Sequence, residues 1–446
     1  RRIETAHGKE LEASLNTPVL ICGENGIEGR EIADVDAGDY VAVPRYADIE
    51  RDTPSVQDYL ELTNEKVKLD SDSLAFVRAG LYDRFGDLRS AAAALDVSED
   101  FIYSLLWNRH VPIEKLDRIL DAIDADRSDV TIERAMLRHG ESVSIPEEFD
   151  EDLMYLIGLV FGDGNIAVSR RGDNRGVVRI SNGDESLLRR AADIVESAFG
   201  KRVEIEYQED RVPCIRINSA TIARFFQNVG MQTPKQPLAL DDRLTTAEDV
   251  DAFLRGFMDA DGSVSTRTNG GSSVLVSTIS EDLARQIQLM LESYGVCARR
   301  RERDKRGTYQ LANGHTIESK RVQHFVELFG EDIDRYAEAI GFESAEKAAA
   351  LERIVGSAIR RERPIPVGSA LKAVEEPAGQ FWSNINRGDN PGRNRARAML
   401  EDRDLGDVRP IVEEAIEADL RWDEVVAAVD TGEKEVFDLT VPETHN

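Results

Sequence analysis

Cysteine is scarce in this chain. Only Cys22, Cys214 and Cys297 occur in 446 residues, and no two form a CxxC pair. That excludes a cysteine zinc framework and a disulfide scaffold, and it fits a reducing, cytoplasmic setting. Long apolar runs are missing as well. None approaches the roughly 18 residues that a membrane-spanning helix needs, so no membrane partner is expected. The opening Arg1-Arg2-Ile3-Glu4 has neither an initiator Met nor an apolar stretch behind it. A signal peptide is therefore not expected, and the chain reads as a fragment or an excised segment. Lysine is rare: 11 of the 56 basic residues, against 85 Asp and Glu and a net charge of −29. Read naively, that charge argues against a nucleic-acid partner. Dense carboxylate with little Lys also describes the cytoplasmic proteins of salt-loving microbes. Molar salt shortens the Debye length to about 3 Å and screens the self-repulsion. On that reading the net charge reports the solvent, and local basic clusters report the partner.

The length predicts two to four domains. Residues 1–45 alternate like short strands, with turns at Gly23 to Gly26 and at Gly38-Asp39. Residues 46–148 read as a mainly helical linker. Within it, residues 84–123 have the rhythm of a helix-turn-helix: a helix through Ala91 to Leu95, a turn at Asp96-Val97-Ser98 with Ser98 as N-cap, and a second helix from Glu99 to Trp107. Residues 351–419 are mixed, with a basic loop and helix in "NINRGDNPGRNRARAML" that could extend a nucleic-acid footprint. Residues 420–446 read as two strands around a turn at Thr431-Gly432.

Residues 149–350 contain a duplication. "LIGLVFGDG" ends at Gly164 and "LRGFMDADG" ends at Gly262. Each is followed by a β-prone arm ("VVRIS"; "SVLVST"), an amphipathic helix, a charged β arm, and a helix closed by Gly and then Lys, at Lys235 and Lys347. Two copies of this scale suggest two pseudo-symmetric halves.

Glycine inside a helix costs about 1 kcal/mol relative to Ala. Gly158 and Gly256 justify that cost if the two helices pack backbone to backbone. Gly164 and Gly262 follow the helices at places suited to positive φ. Close pairing brings Asp163 and Asp261 together. Two adjacent carboxylates repel, and a divalent metal resolves the repulsion; oxygen ligands completed by water and phosphate suit Mg²⁺. Such a centre can clamp the attacking and leaving oxygens of a phosphodiester. The alternative is a pair of ordinary buried helices with Gly caps, and the matching duplication weighs against it.

On these motifs, residues 150–350 resemble the LAGLIDADG homing endonucleases in their single-chain, two-motif form. The resemblance implies a monomeric α/β (α+β) fold with internal pseudo-two-fold symmetry, double-stranded DNA as partner, Mg²⁺ as cofactor, and metal binding by the last Asp of each motif, here Asp163 and Asp261. It also implies a basic catalytic residue near each site, here Lys235 and Lys347. The first copy departs at Phe161, where the second has Asp259. The arms fit a β-ribbon lying in the major groove. Their candidate DNA contacts are Arg170, Arg171, Arg175, Arg179, Arg202, Arg211 and Arg216 in the first half, and Arg299, Arg300, Arg301, Arg303 and Lys305 in the second. The competing reading is an Arg–Glu laced surface.

The two ends carry a second resemblance. "EASLNTPVLI", "DVDAGDYVAVPR" and "RWDEVVAAVDTGEKEVFDLTVPETHN" are similar to blocks of the Hint-type protein-splicing domains of inteins, which often enclose endonucleases of this kind. The resemblance implies one all-β domain built from both ends, with the endonuclease inserted in it. Ser14 and Thr17 occupy the places of the Thr-x-x-His that promotes the first acyl shift. Thr carries no proton near neutral pH as His does, and no nucleophilic first residue is present, so the chain is not expected to splice itself. The expected function is site-specific, metal-dependent double-strand DNA cleavage. The alternatives are a non-cleaving DNA-binding regulator or decayed intein on the same fold, and an RNA-splicing maturase.

Overall fold

A computed structural model describes residues 1–435 apart from 63, 138–139, 170–174, 234, 236–237, 267–270, 311–315, 357–362, 375–384, 386 and 388. Arg170, Arg171, most of the strand expected after Thr431-Gly432, and Asn384, Asn386 and Gly388 of the "NINRGDNPGR" loop lie outside the described residues.

The first motif helix runs Glu151–Asp163 and the second Val250–Asp261. Every residue from Leu153 to Gly162 is buried, as befits a helix apolar on all sides. Asp150 caps its start, accepting from the Leu153 N–H at 2.8 Å. The two helices pack against each other at the centre of the molecule. A Cβ on Gly158 would stand 2.1 Å from the Phe253 carbonyl oxygen, and one on Gly256 would stand 2.1 Å from that of Tyr155. The contact continues at Gly162, where a Cβ would meet that of Ala260 at 2.2 Å. Only glycine permits this approach.

Each motif helix leads into a four-stranded antiparallel sheet of matching order. In the first half Gly164–Val168 pairs Gly176–Ser181, which pairs Cys214–Asn218, which pairs Ile205–Glu206. In the second, Ser263–Ser265, Ser273–Thr278, Gln323–Leu328 and Arg299–Arg303 pair in the same succession. The helices Glu185–Phe199 and Glu281–Glu292 also correspond, as do Ala220–Asn228 and Glu331–Ala339. The second half adds a hairpin, Gly307–Gln310 with Thr316–Ser319.

One expectation about this region is corrected. Gly164 and Gly262 do not take positive φ; both are extended, at φ −81° and −76°. Their need for glycine is spatial. A Cβ would lie 2.3 Å from the Val160 carbonyl oxygen and 2.4 Å from that of Met258.

Residues 46–148 are not simply a helical linker. Four strands, in the order Val111–Pro112, Lys66–Leu69, Ile132–Met136, Val143–Ser144, form a sheet of their own beside four helices. The expected turn is present. Leu88–Ala94 and Glu99–Leu106 are helices, and the Ser98 hydroxyl accepts from the Phe101 N–H at 3.2 Å. This unit shares one apolar core with the motif helices. It is pinned to the first half by the buried Arg224–Glu65 pair at 2.6 Å and by Tyr59, whose hydroxyl donates to Asp241 at 2.8 Å.

The two ends of the chain meet in a six-stranded sheet. Leu420–Val429 lies at its centre, pairing Arg2–Thr5 on one side and Tyr40–Pro44 on the other. This sheet docks on the second half. Arg421 is buried and donates to the carbonyls of Arg45 at 2.7 Å and Gly295 at 2.6 Å. Lys9 pairs with Glu292 at 2.6 Å.

Candidate metal and DNA site

The motif helices end side by side, and their last residues are Asp163 and Asp261. A Cβ on Gly162 would lie 3.5 Å from the Asp261 Oδ2, so the glycine ladder carries the second carboxylate to the end of the first helix. Burial pushes both carboxyls up. Asp261 rises to about 6, with the Asp163 charge adding to the effect of burial and Lys235 and Lys347 opposing it. Asp163 is raised by burial and relieved first by Asn182 and then by the two lysines. Burial lowers both lysines, against the pull of both carboxylates. Four charged groups, two from each half, therefore feel one another at one place.

The lysines also serve the helix ends. Carbonyls of a last helical turn lack intrahelical partners. The Lys235 ammonium donates to Phe161 at 2.8 Å and to Gly162. Lys347 donates to Met258 at 3.1 Å, Asp259 at 2.5 Å and Ala260 at 3.3 Å. A cation at a helix C-terminus is favourable, so each lysine sits beside its Asp for a local physical reason.

The donor set is all oxygen. Among the described residues no cluster of three His, Cys, Asp or Glu forms a metal cage. Two carboxylates suit an ion that keeps most of its ligands as water and phosphate oxygen, which is the habit of Mg²⁺.

The roles of two residues of this neighbourhood escape a reading of the sequence. The Asn182 amide donates to Asp163 Oδ2 at 2.6 Å and orients it. Asp259, buried in the second motif helix, accepts from the Tyr155 hydroxyl at 3.0 Å. A lone Asn after a β-prone run and an Asp inside the motif were the only signals available.

The arms divide by strand alternation. Val178 and Ile180 face the core, so Arg179 faces outward, paired in register with Arg216. Arg216 reaches Glu206 at 3.5 Å. Arg175, Arg202 and Arg211 are exposed. In the second half Arg299 and Arg301 share one face and both bind Glu327; Arg301 does so with two bonds, at 2.7 and 2.6 Å. Arg303 is exposed two residues on, and the Lys305 ammonium lies 4.7 Å from the Phe325 ring centre. Arg300 is the correction. It points to the opposite face and donates to the Gly8 carbonyl at 2.6 Å and to Glu10 at 3.0 Å. It holds the N-terminal sheet, and its side chain is only 11% exposed.

The turn-joined helices expose aromatic residues alongside the charged Arg89 and Glu99. Tyr103 and Trp107 stand 5.7 Å apart, with Arg109 at 5.8 Å from the Trp107 ring. In the terminal sheet, the Ser14 and Thr17 hydroxyls lie 2.9 Å from each other.

The family model described as "LAGLIDADG-like domain" matches residues 150–230 and 248–341. The chain carries a LAGLIDADG-like domain. Both motif helices and both sheets fall within the match. Curated relatives extend more widely. An A-type ATP synthase component of Methanopyrus kandleri is 25% identical over 462 residues, spanning all of this chain and 43% of that protein. The replication factor C small subunit of Methanocaldococcus jannaschii is 24% identical, over 49% of this chain and 11% of that one. The replicative DNA helicase DnaB of Rhodothermus marinus is 30% identical, over 45% of this chain and 22% of that one. The chain thus spans less than half the length of each of these relatives. Among solved structures, the homing endonuclease I-DmoI in complex with DNA and Mn is 17% identical, covering 43% of this chain and 96% of that one at a TM-score of 0.28. Full-length DUF199/WhiA from Thermatoga maritima is 15% identical, covering 60% and 81% at a TM-score of 0.30.

Proposed function

We propose that this chain is an intein-borne, site-specific DNA endonuclease of a salt-loving archaeon that cuts both strands of a long duplex target with Mg²⁺. The observation that carries the reading is the paired Asp163 and Asp261, each at the end of a glycine-packed helix with a lysine on the same helix end. The helix-end carbonyls account for the lysines, but a structural helix pair does not need two carboxylates brought together beside them.

In this reading Asp163 and Asp261 hold the metal, which when bound supplies charge for the scissile phosphate and an acidified water. Asn182 fixes the rotamer of Asp163. Lys235 and Lys347 each place a positive charge where the phosphorane gathers negative charge, one per half. The outward faces bearing Arg179 and Arg216, and Arg299, Arg301 and Arg303, lie along the DNA. Arg299 and Arg301 exchange Glu327 for phosphate or guanine when DNA arrives.

The intein reading draws on two facts. Both ends of the chain build one sheet around everything between them. The curated relatives bear unrelated names, and the chain spans a minor share of each, which is what an inserted element shared by different hosts looks like. Thr17, hydrogen-bonded to Ser14 rather than replaced by a titrating His, leaves the first splicing step without its usual proton carrier. The acidic, Lys-poor composition supports the saline origin. The test is incubation with Mg²⁺ and a duplex made by joining the coding sequences that flank this segment. A discrete double-strand cut at the junction is expected. Tight binding without a cut supports a regulator on the same fold.

A further inference from the structure

The two halves differ at one buried place. Asp259 stands in the second motif helix where the first has Phe161. An isolated buried carboxylate is costly unless hydrogen bonds meet it, and Asp259, 1% exposed, is met on every side. Besides the Tyr155 hydroxyl it accepts the backbone N–H of Glu343, at 3.2 and 3.0 Å to its two oxygens, and that of Ser344 at 3.0 Å.

Those two N–H groups lead into the helix Ala345–Glu352. Ser344 makes no side-chain cap bond of its own there; its hydroxyl donates instead to Asp184 at 3.0 Å. Asp259 therefore supplies the capping acceptor that Ser344 does not, and adds its charge to that of Glu346 in the first turn, in the place a helix dipole favours. Lys347 lies in the first turn of the same helix and reaches back to the Met258, Asp259 and Ala260 carbonyls. One turn of the motif helix thus grips the short helix twice, by carboxylate to backbone and by carbonyl to ammonium. At the matching place the first half has Phe161, whose side chain cannot accept a hydrogen bond, and among the described residues Lys235 is held by the Phe161 and Gly162 carbonyls.

We propose that Asp259 is a positioning residue for Lys347, so that one of the two strand cuts depends on a buried carboxylate and the other does not. This rests on the endonuclease reading above. A displacement of about 1 Å at such a group costs about 100-fold in rate.

The test measures single-turnover nicking of each strand separately, on the flank-joined duplex with Mg²⁺, for the full chain and for Asp259→Ala, Lys347→Met, Lys235→Met and the Asp259→Ala/Lys347→Met pair. Asp259→Ala is expected to slow by about 100-fold the strand that Lys347→Met slows. The strand that Lys235→Met slows keeps its rate, and the double variant is no slower than Lys347→Met alone. Equal loss on both strands, no loss on either, or additive losses in the double variant would overturn the proposal. Should Asp259→Ala not fold, Asp259→Asn, which keeps the volume but cannot accept on both sides, is read by the same criteria, with its melting temperature beside it. A wild-type chain that cuts neither strand overturns the endonuclease reading itself, and this proposal falls with it.

Discussion

Gly158 and Gly256 are reciprocal. Each sits against the backbone of the other's helix, with 2.1 Å between an imagined Cβ and the facing carbonyl oxygen, Phe253 for one and Tyr155 for the other. The spacing of the two Asp residues follows from this contact. Gly158→Ala or Gly256→Ala is expected to force the helices apart and cost about 1–3 kcal/mol or more, the range for overpacking a tight core. Gly29→Ala, where nothing lies within 4 Å, is the matched control. Denaturant unfolding of the three variants checks this, and equal stability of Gly158→Ala and wild type counts against the packing argument.

Removing either lysine should separate the two cuts. Lys235→Met and Lys347→Met are each expected to slow one strand by roughly 10²–10³-fold, the usual loss for one transition-state donor, and to accumulate nicked duplex. Strand-labelled gels read this directly. Loss of both cuts in both variants would mean the lysines act only as helix-end partners.

Asn182→Ala removes the amide that orients Asp163. Its expected effect is a 10–100-fold loss of divalent-ion affinity, typical of a residue that holds a ligand in place. Titration with Mn²⁺ followed by calorimetry measures it, and unchanged affinity refutes the role.

The raised carboxyl of Asp261 sets a pH dependence. Its pKa in the fold, about 6, lies above the ordinary aspartate value. Between those values the folded state holds the proton more tightly than the unfolded chain, so metal-free stability declines as pH rises through that window. A divalent ion binds the ionised form, so the thermal shift it produces should grow as pH rises through about 6 and fade below it. Melting curves with and without Mg²⁺ across that range test the sign. Asp261→Asn should flatten the dependence.

DNA affinity should follow strand faces. Arg303→Ala is expected to weaken binding and reduce the salt slope by about one phosphate contact, roughly 0.9 in log–log terms. Arg300→Ala should leave the slope unchanged, because its guanidinium is bonded to Gly8 and Glu10. Cleavage should also survive salt that disables an ordinary basic nuclease. Activity lost above a few hundred millimolar, roughly where phosphate contacts fail, contradicts the saline-adapted account.

The duplicated motif made the centre of the molecule legible in advance. Glycine position, terminal Asp and trailing Lys all recur at matching places, and the structure brings Asp163, Asp261, Lys235 and Lys347 together. The Ser98 turn was legible through its cap. The sheet inside residues 46–148 was not, because Val111–Pro112 and Val143–Ser144 are only two residues long and show no period. The glycines at 164 and 262 were assigned the wrong reason, since a carbonyl four residues back is invisible in one dimension. Arg300 was grouped with its neighbours although strand alternation turns it to the other face. Asn182 and Asp259 find partners 19 and 104 residues away, and no local pattern announces such pairs.

The central claim is that two carboxylates from two halves build one metal-dependent cutting centre. Its most direct measurement is strand-resolved cleavage of the flank-joined duplex with Mg²⁺, comparing the full chain with Asp163→Asn and Asp261→Asn. The account predicts a double-strand cut at one position, abolished or reduced to a nick in each variant, with DNA binding retained in both. A cut that persists in both variants, or duplex bound by the wild type and never cut at any divalent-ion concentration, would contradict it.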